Sequence, residues 1–181
     1  MSKSIEKAFI GSFVLGAGIS YWLSRKLRSL KPAKAKPIND FDKERYLGKW
    51  YEIARMDNKF EHNLSHTTAE YAINDAGKLM VLNMGYDDRK GRFRSALGEA
   101  SFLETENLAA LKVSFKKPFF SGYNILAIDK NYQYALVAGE HLSNLWLLSR
   151  KKTMPKTVKS NYLKLAKEVG YDVDQLIWVN H

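Results

Sequence analysis

The residue types that most often perform catalysis or bind metals are few in this chain of 181 residues. His62 and His66 have the i, i+4 spacing of paired metal ligands, but they fall in a predicted loop, where this spacing implies no ligand geometry. No cysteine is present, which excludes disulfides, thiolate zinc sites and cysteine nucleophiles. The chain also lacks a glycine-rich phosphate loop and a nucleophile elbow. The sequence therefore predicts a binding protein without enzymatic activity, metal or cofactor.

The positive charge of the chain is concentrated at its beginning. The net charge is +10, but residues 1–37 hold eight Lys/Arg against one acidic residue, and the remainder holds 21 against 18. A nearly balanced domain behind a basic leader does not have the charge distribution of a phosphate-binding face. We therefore expect no nucleic-acid partner.

The basic leader contains an uncharged stretch at residues 8–23. As a helix it would be about 24 Å long, slightly shorter than a hydrocarbon core of roughly 30 Å. Lysines precede it and Tyr21-Trp22 close it, as at a membrane interface. We predict that residues 1–24 form an apolar helix, which serves as a membrane anchor or signal-like segment, and that residues 25–38 form a basic linker. A buried core helix is the alternative.

Residues 39–181 are predicted to form an all-β domain with one helix. Eight strand-like segments follow one another at nearly regular spacing, separated by turn signals such as Asn74-Asp75-Ala76-Gly77. This spacing is typical of an up-and-down barrel or a sandwich. The strands are expected at residues 46–54, 66–73, 78–86, 92–102, 108–115, 122–128, 132–139 and 144–150.

An amphipathic helix is predicted over residues 154–170. Four apolar residues lie on one face, with Pro155 near the start and Gly170 at the end. A single helix beside eight strands is expected to pack this face on the outside of the sheet. The face comprises Val158, Tyr162, Leu165 and Val169.

An antiparallel meander that closes on itself would bring three distant segments together at one closed end. Gly48 and Trp50 lie near the start of the first strand, Tyr134 near the start of the seventh and Arg150 at the end of the eighth. Gly48 would let the first strand bend over this end, and Trp50 would plug it. The guanidinium of Arg150 would then cover the indole in a cation–π contact worth about 0.5–2 kcal/mol.

The strings FDKERYLGKWYEIARMDNKFE, NYQYALVAGE and NLWLLSR, which contain these residues, resemble the three signature regions of the lipocalins, in particular the bacterial ones. The resemblance runs over residues 39–180. It implies an eight-stranded up-and-down antiparallel barrel with a C-terminal helix, which binds a fatty acid or a phospholipid-derived lipid. Bacterial members are typically anchored in the outer membrane by a lipidated N-terminal cysteine, and this chain has none. We expect the apolar leader to replace that anchor.

The expected location is a membrane of the bacterial cell envelope, with the domain facing the periplasm from the inner or outer membrane. Six basic residues follow the apolar stretch and two lysines precede it, so the positive-inside rule favours a cytoplasmic-facing domain as the alternative. The expected partners are a lipid ligand and, through the N-terminal segment, a membrane. A homodimer is a further option.

The predicted lipid site lies inside the barrel. Trp146 is four residues before Arg150 on the same face of a strand, roughly 13 Å higher, and its indole N–H would donate to a lipid. Tyr71 and Asn83 lie mid-strand and, like Trp146, match pocket-lining positions of the related apolipoprotein D. Ordinary core aromatics are the alternative for Tyr71 and Trp146. The fifth strand would add Leu111, Val113 and Phe115 to the site.

The mouth of the barrel is predicted to carry an apolar rim with basic neighbours. Phe60 and Phe119 are the candidate ligand-binding residues of the mouth loops, near Arg89 and Lys90. Such a rim suits an anionic lipid headgroup or docking on a bilayer. Scattered solvated lysines and aromatics that anchor loops are the alternative.

Two rivals to a lipid carrier follow from the same sequence. In the first, the barrel is filled by its own side chains and serves as a membrane-tethered interaction module. In the second, the scaffold is a hydrolase or isomerase, for which the sequence offers no acid or base. Strict alternation in the first strand also turns Glu52 inward with Trp50, unless a bulge intervenes.

Overall fold

The computed structural model describes residues 36–58 and 61–181, which form a closed antiparallel barrel with a helix on its outside. Each strand pairs with the next along the chain, and the first pairs with both the second and the eighth. The predicted barrel is therefore confirmed. The barrel strands are β1 (Gly48–Met56), β2 (Leu64–Ile73), β3 (Leu79–Asp87), β4 (Arg92–Phe102), β5 (Ala110–Lys116), β6 (Phe119–Ile128), β7 (Tyr134–Ala138) and β8 (Leu145–Ser149).

Several predictions concern residues that the structure does not describe. The apolar helix, the membrane segment at residues 1–24, most of the linker at residues 25–38 and the mouth residue Phe60 all lie outside the described residues. The end of the predicted linker is described: Ile38 donates its N–H to Ile125 O at 3.0 Å and accepts from Ala109 N at 3.0 Å. Ile38 is thus bonded to the barrel.

The strand boundaries follow the turn signals, with one correction at the mouth. Residues 116–121 were expected to form a loop, but β5 continues through Lys116 and β6 begins at Phe119. Phe119 and Phe120 therefore belong to a strand. Three short elements were not predicted, because none spans enough residues to show an apolar period. They are helix α1 (Lys43–Tyr46), which Asp42 caps, the 3-10 helix Val173–Gln175 and strand β9 (Leu176–Trp178).

The C-terminal helix α2 (Lys156–Val169) packs on the outer face of the barrel, as predicted. Gly170 ends it with φ of 114°, in the left-handed region that glycine adopts without strain. The Tyr162 hydroxyl donates to Tyr134 O at 2.9 Å and fixes the helix to β7. Among the described helices, none combines the length and the apolar character needed to cross a bilayer. The buried contacts are Tyr162, Ala166 and Val169 on the helix and Leu136 and Leu147 on the sheet.

The lower end of the barrel is closed by Trp50 and Arg150. Trp50 is fully buried, and the Arg150 guanidinium lies 3.8 Å from the centroid of its ring. The guanidinium also donates to four backbone carbonyls, among them Lys49 O and Arg45 O, both at 2.9 Å. Gly48 has φ of 88° beside it, a conformation that strains any side-chain-bearing residue. The indole of Trp50, the guanidinium of Arg150 and the backbone bend at Gly48 therefore close the lower end.

The C-terminal residues after α2 complete the barrel wall. Strand β2 pairs with β1 only along the lower half of β1, from Gly48 to Tyr51. Above that point, β9 pairs with β1 at residues 54–56, and Val179 N donates to Ile53 O at 3.0 Å. On the other side, His66 N donates to Asn180 O at 2.7 Å. The C-terminal segment thus fills the gap between the upper halves of β1 and β2.

Candidate functional site

The lower half of the barrel interior is filled by aromatic side chains. Tyr46, Trp50, Tyr71 and Tyr123 pack in series with ring centroids 4.8–6.0 Å apart. The remaining enclosed cavity measures about 10 Å³, which is room for about one water molecule. Ligand pockets in proteins usually measure about 300–1,000 Å³. A lipid therefore enters this half only if side chains move.

Three phenol hydroxyls meet inside this aromatic cluster. The Tyr123 hydroxyl lies 2.6 Å from the Tyr46 hydroxyl and 2.6 Å from the Tyr71 hydroxyl, which donates to it. Burial raises the pKa of all three phenols above the usual value, so they stay protonated. The structure therefore places the predicted site residue Tyr71 in a hydrogen-bonded network at the centre of the interior, with Tyr46 and Tyr123 as partners that the sequence did not identify.

Strand alternation and a bulge place two charged residues of β1 in the interior. The register between β1 and β8 shifts between Glu52 and Ala54, so that Glu52 lies opposite Leu148 and Arg55 opposite Trp146. Leu148 and Trp146 belong to the interior cluster, whereas Ala54 packs outward under α2. Glu52 therefore faces inward, and the bulge comes after it. The bulge brings Arg55 to the same side.

Arg55 is the most buried charged residue in the described part of the chain, with 1 % of its surface exposed. Its Nη1 donates to Glu52 Oε1 at 2.7 Å. Its Nη2 donates to Glu61 O at 2.7 Å and Leu64 O at 2.9 Å. The guanidinium thus ties the backbone of the loop between β1 and β2 to the barrel wall.

The side chain of Glu61 enters the interior from this loop. Its Oε2 accepts a hydrogen bond from Trp146 Nε1 at 3.0 Å. The same oxygen accepts a second hydrogen bond from Asn58 Nδ2. Trp146, which the sequence nominates as the donor to a lipid, is therefore paired with a carboxylate of the chain itself.

Glu52 and Glu61 share the neighbourhood of one guanidinium. Burial, and to a smaller extent the charge of Glu61, raises the pKa of Glu52 to about 8, while Arg55 opposes this increase. With two carboxyl groups around one cation, retaining one proton balances the charge. The interior of the ligand-free barrel therefore holds a proton on Glu52 near neutral pH.

This protonation predicts a pH dependence of stability. The pKa of Glu52 is higher in the folded than in the unfolded protein. The contribution of protonated Glu52 to the free energy of unfolding is therefore fully present below about pH 4.5 and is lost as the pH rises through about 8. Since Glu52→Gln mimics the protonated acid at every pH, its free energy of unfolding relative to that of the parent should rise by about 2–4 kcal/mol between pH 5 and pH 8. Urea unfolding at each pH measures the difference, and a difference independent of pH would show that Glu52 stays ionised.

Asn83 lies on the inner face of β3, between Ala69 of β2 and Ala96 of β4. Its Oδ1 is buried and accepts no hydrogen bond from the described residues. Such an oxygen costs about 1–3 kcal/mol unless a donor reaches it. Asn83 thus offers a free acceptor where the neighbouring side chains are small.

Leu111 and Val113, also predicted site residues, are buried and line the small lower cavity.

The upper interior is open to solvent along β4. All six residues from Arg92 to Leu97 are exposed. Because alternate residues of a strand face opposite sides of the sheet, three of these six exposed residues face the interior. Arg94 and Ala96 are the inward-facing ones near Asn83, because they pair with Gly85 and Asn83 of β3. The inner face of β4 is therefore reached by solvent at the upper side of the barrel.

The remaining predicted site residues lie at the mouth. Phe115 is 47 % exposed and Phe119 is 70 % exposed. Neither lines the closed lower half of the barrel. A separate open cavity of about 400 Å³ lies on the rim, surrounded by His62, Asn63, Asp87, Arg89, Lys90 and Arg94. The predicted basic character of the rim is present there.

His62 and His66 have different neighbours. His62 Nδ1 lies 2.9 Å from Asp57 Oδ2, whereas the His66 ring packs against Tyr86 and His181, with centroids 6.3 and 6.4 Å away. Within residues 36–58 and 61–181, no three His, Asp or Glu side chains are placed to hold a metal ion.

The sequence reasoning missed Arg55 and Glu61. A signal for Arg55 exists, because an inward Glu52 needs a buried partner and Arg55 is the next cation on the same strand. No local pattern identifies Glu61, since a glutamate in a polar mouth loop is expected to point to solvent.

Comparison with known proteins agrees with this architecture. The Lipocalin-like domain family matches residues 41–181. The outer membrane lipoprotein Blc of Escherichia coli (strain K12) is 46 % identical over 142 residues, which cover 78 % of this chain and 80 % of that protein. The outer membrane lipoprotein Blc of Vibrio cholerae is 43 % identical over 149 residues, which cover 82 % of this chain and 87 % of that protein.

Among solved structures, the major allergen Per a 4 from cockroaches superposes with a TM-score of 0.66 at 19 % identity, and the match covers 83 % of this chain and 94 % of that one. At that identity the likeness concerns the fold alone. The match of the family over the whole barrel and the identity to the two bacterial proteins show more: the chain belongs to the lipocalins, a family of non-enzymatic proteins that bind hydrophobic ligands.

Proposed function

We propose that the barrel binds one long-chain lipid, such as a fatty acid, a phospholipid or a lysophospholipid, for carriage, storage or membrane maintenance. The observation that carries this proposal is the upper interior, which is open along β4 and presents the unpaired Oδ1 of Asn83 beside two alanines. An acyl chain supplies the affinity, because each buried CH₂ contributes about 0.8 kcal/mol. Polar groups of the interior then position the head.

The proposed binding mode places the head near mid-height of the barrel. Trp146 Nε1 offers a donor there to a charged oxygen of the head, and Asn83 Oδ1 offers an acceptor to a head that also carries a hydroxyl, such as that of a lysophospholipid. Below them, Leu111, Val113 and the tyrosine cluster form an apolar wall around hydroxyl groups. At the mouth, Phe115 and Phe119 would contact the part of the lipid that remains outside the closed half.

The proposed location is a membrane of the bacterial cell envelope. The two bacterial relatives are outer membrane lipoproteins by name, whereas this chain has no cysteine to carry a lipid. We propose that residues 1–24 anchor the protein instead and that residues 25–38 link this anchor to the barrel. The proposed partners, besides the lipid, are the membrane that holds residues 1–24 and a second copy of this chain in a homodimer.

The second candidate is the membrane-tethered interaction module, and one observation favours it. The enclosed cavity of about 10 Å³ shows that side chains fill the lower half of the barrel. In that case the barrel would bind no lipid, and its outer surface would carry the function.

Binding of oleate and of a lysophospholipid to the full chain, purified in a mild detergent and followed by isothermal titration calorimetry, separates the two candidates. We expect the parent protein to bind one molecule. Trp146→Phe keeps an aromatic ring but removes the indole N–H together with its five-membered ring, and it should weaken binding about tenfold, mainly through the lost hydrogen bond.

Trp178→Phe is the matched control, because Trp178 is 45 % exposed on β9, outside the interior. This variant should bind like the parent. Failure of the parent to bind either lipid would favour the interaction module. Equal binding by Trp146→Phe and the parent would show that the head does not lie at Trp146.

A further inference from the structure

The Trp146 indole N–H already holds an anionic group. The carboxylate of Glu61 accepts its hydrogen bond at 3.0 Å, inside the barrel and at the height where the proposed lipid head would lie. Asn58 Nδ2 donates to the same oxygen, so that two side-chain N–H groups converge on one carboxylate oxygen. This arrangement is a small anion site, and a side chain from the mouth loop occupies it.

The backbone of Glu61 is held independently of its carboxylate. Arg55 Nη2 donates to Glu61 O at 2.7 Å, and Glu61 N donates to Asn58 O at 3.2 Å and to Asn58 Oδ1 at 3.1 Å. Rotation about the side-chain bonds of Glu61 therefore removes the carboxylate from Trp146 while these backbone contacts remain. The Glu61 side chain can therefore leave the anion site while its backbone stays in place.

Electrostatics makes this occupant exchangeable. The negative charge of Glu61 helps to keep Glu52 protonated, so that the two carboxyl groups together carry one charge. Arg55, the nearest buried cation, directs its Nη1 to Glu52 and its Nη2 to backbone carbonyls. Among these described contacts, Glu61 is stabilised by its two N–H donors. An incoming anionic head that accepts the same hydrogen bonds would replace one negative charge by another.

We propose that Glu61 occupies the head position of the ligand in the empty barrel, and that an anionic lipid head displaces it from Trp146 Nε1. The head is a carboxylate or a phosphodiester, because both present a charged oxygen that accepts two N–H donors. This inference rests on the proposed lipid-binding function and adds the class of head and the residue that competes with it. Glu61 lowers the apparent affinity of the barrel for a lipid. It also favours lipids with an anionic head, because such a head replaces the negative charge of the displaced carboxylate.

Oleate binding to the full chain tests the displacement with two variants of Glu61. Glu61→Ala vacates the site, and we expect it to bind oleate about tenfold more tightly than the parent, as for the loss of one competing charged hydrogen bond. Glu61→Gln keeps an acceptor for Trp146 but no charge, and it should fall between the two. Glu140→Ala is the matched control, because Glu140 is also a mouth glutamate but pairs only with His141 among its described contacts, at 3.7 Å. Its affinity should equal that of the parent.

The indole N–H signal of Trp146 in ¹⁵N-labelled protein provides a second measurement, assigned by its loss in Trp146→Phe. We expect oleate to shift this signal in the parent, and we expect the ligand-free Glu61→Ala variant to show a shifted signal already. The signal of Trp178 should stay in place in both experiments.

The outcomes separate this inference from the lipid-binding function. Binding by Glu61→Ala alone would support the displacement and show that Glu61 blocks the parent barrel. If the parent binds oleate but Glu61→Ala gains no affinity, or if oleate leaves the Trp146 signal unmoved, the inference is wrong and the lipid-binding function stands. If neither protein binds any lipid, the function and the inference fail together.

Discussion

Replacing Trp50 by alanine is expected to lower the free energy of unfolding by about 3–5 kcal/mol. The indole is fully buried and packs against Tyr46, with centroids 4.8 Å apart. Its Nε1 donates to Tyr46 O at 2.9 Å, and its face carries the Arg150 guanidinium at 3.8 Å. The variant loses all three interactions and leaves a cavity under a partly buried cation.

Urea unfolding of Trp50→Ala, followed by far-ultraviolet circular dichroism, measures this loss. Trp178→Ala is the control, because that indole is 45 % exposed, and its removal should cost less than about 1 kcal/mol. If Trp50→Ala unfolds at the same urea concentration as the control, Trp50 does not support the closed end of the barrel.

The second large effect is expected at Arg55. Arg55→Met keeps an apolar stem of similar length but removes the guanidinium, so Glu52, Glu61 O and Leu64 O all lose their donor. Because Glu52 retains its proton near neutral pH, the cost is that of buried acceptors left without a donor, which is about 1–3 kcal/mol each. We therefore expect a loss of about 3–5 kcal/mol at pH 7, and a loop between β1 and β2 that is more sensitive to limited proteolysis.

A double-mutant cycle with Glu52→Gln tests whether Arg55 acts through Glu52. If it does, Arg55→Met should cost less in the Glu52→Gln background than in the parent at about pH 9, where Glu52 of the parent has lost its proton, and the two costs should converge at about pH 6. Arg94→Met is the control, because Arg94 is 48 % exposed in side-chain surface and its ion pair with Asp87 is 3.4 Å long. Such a pair contributes about 0–1 kcal/mol. A loss at Arg55 no larger than at Arg94 would contradict a structural role for the buried pair.

The barrel could be predicted from local signals because a few consecutive residues specify turns between its strands. Asn74 shows why: its Oδ1 accepts hydrogen bonds from Ala76 N and Lys78 N, and the turn ends at Gly77 with φ of 73°. These contacts lie within five residues and need no tertiary partner. Since the eight strands are joined by connections of two to seven residues, their order in the sheet follows their order in the chain.

The charged cluster of the interior could not be predicted, because it depends on tertiary register. One extra residue in β1, between Glu52 and Ala54, reverses the alternation and turns Arg55 inward. No residue type marks this bulge in the sequence. The position of Glu61 depends in turn on Arg55, which holds its backbone, and on Trp146, which lies 85 residues later in the chain.

The pairing of β1 with both β8 and β9 has a consequence for the synthesis of the protein. The strand that carries Trp50, Glu52 and Arg55 is made early, but Tyr51 pairs with Ser149 and Ala54 with Trp178. On the ribosome, strands β2 to β7 can pair with their neighbours as they emerge, whereas β1 waits for its last partners until the C-terminal residues leave the exit tunnel. Contacts between segments so distant in the chain slow folding, because the intervening loop must be closed first. The barrel therefore closes only once β8 and β9 have emerged from the ribosome, and until then β1 lacks these two partners.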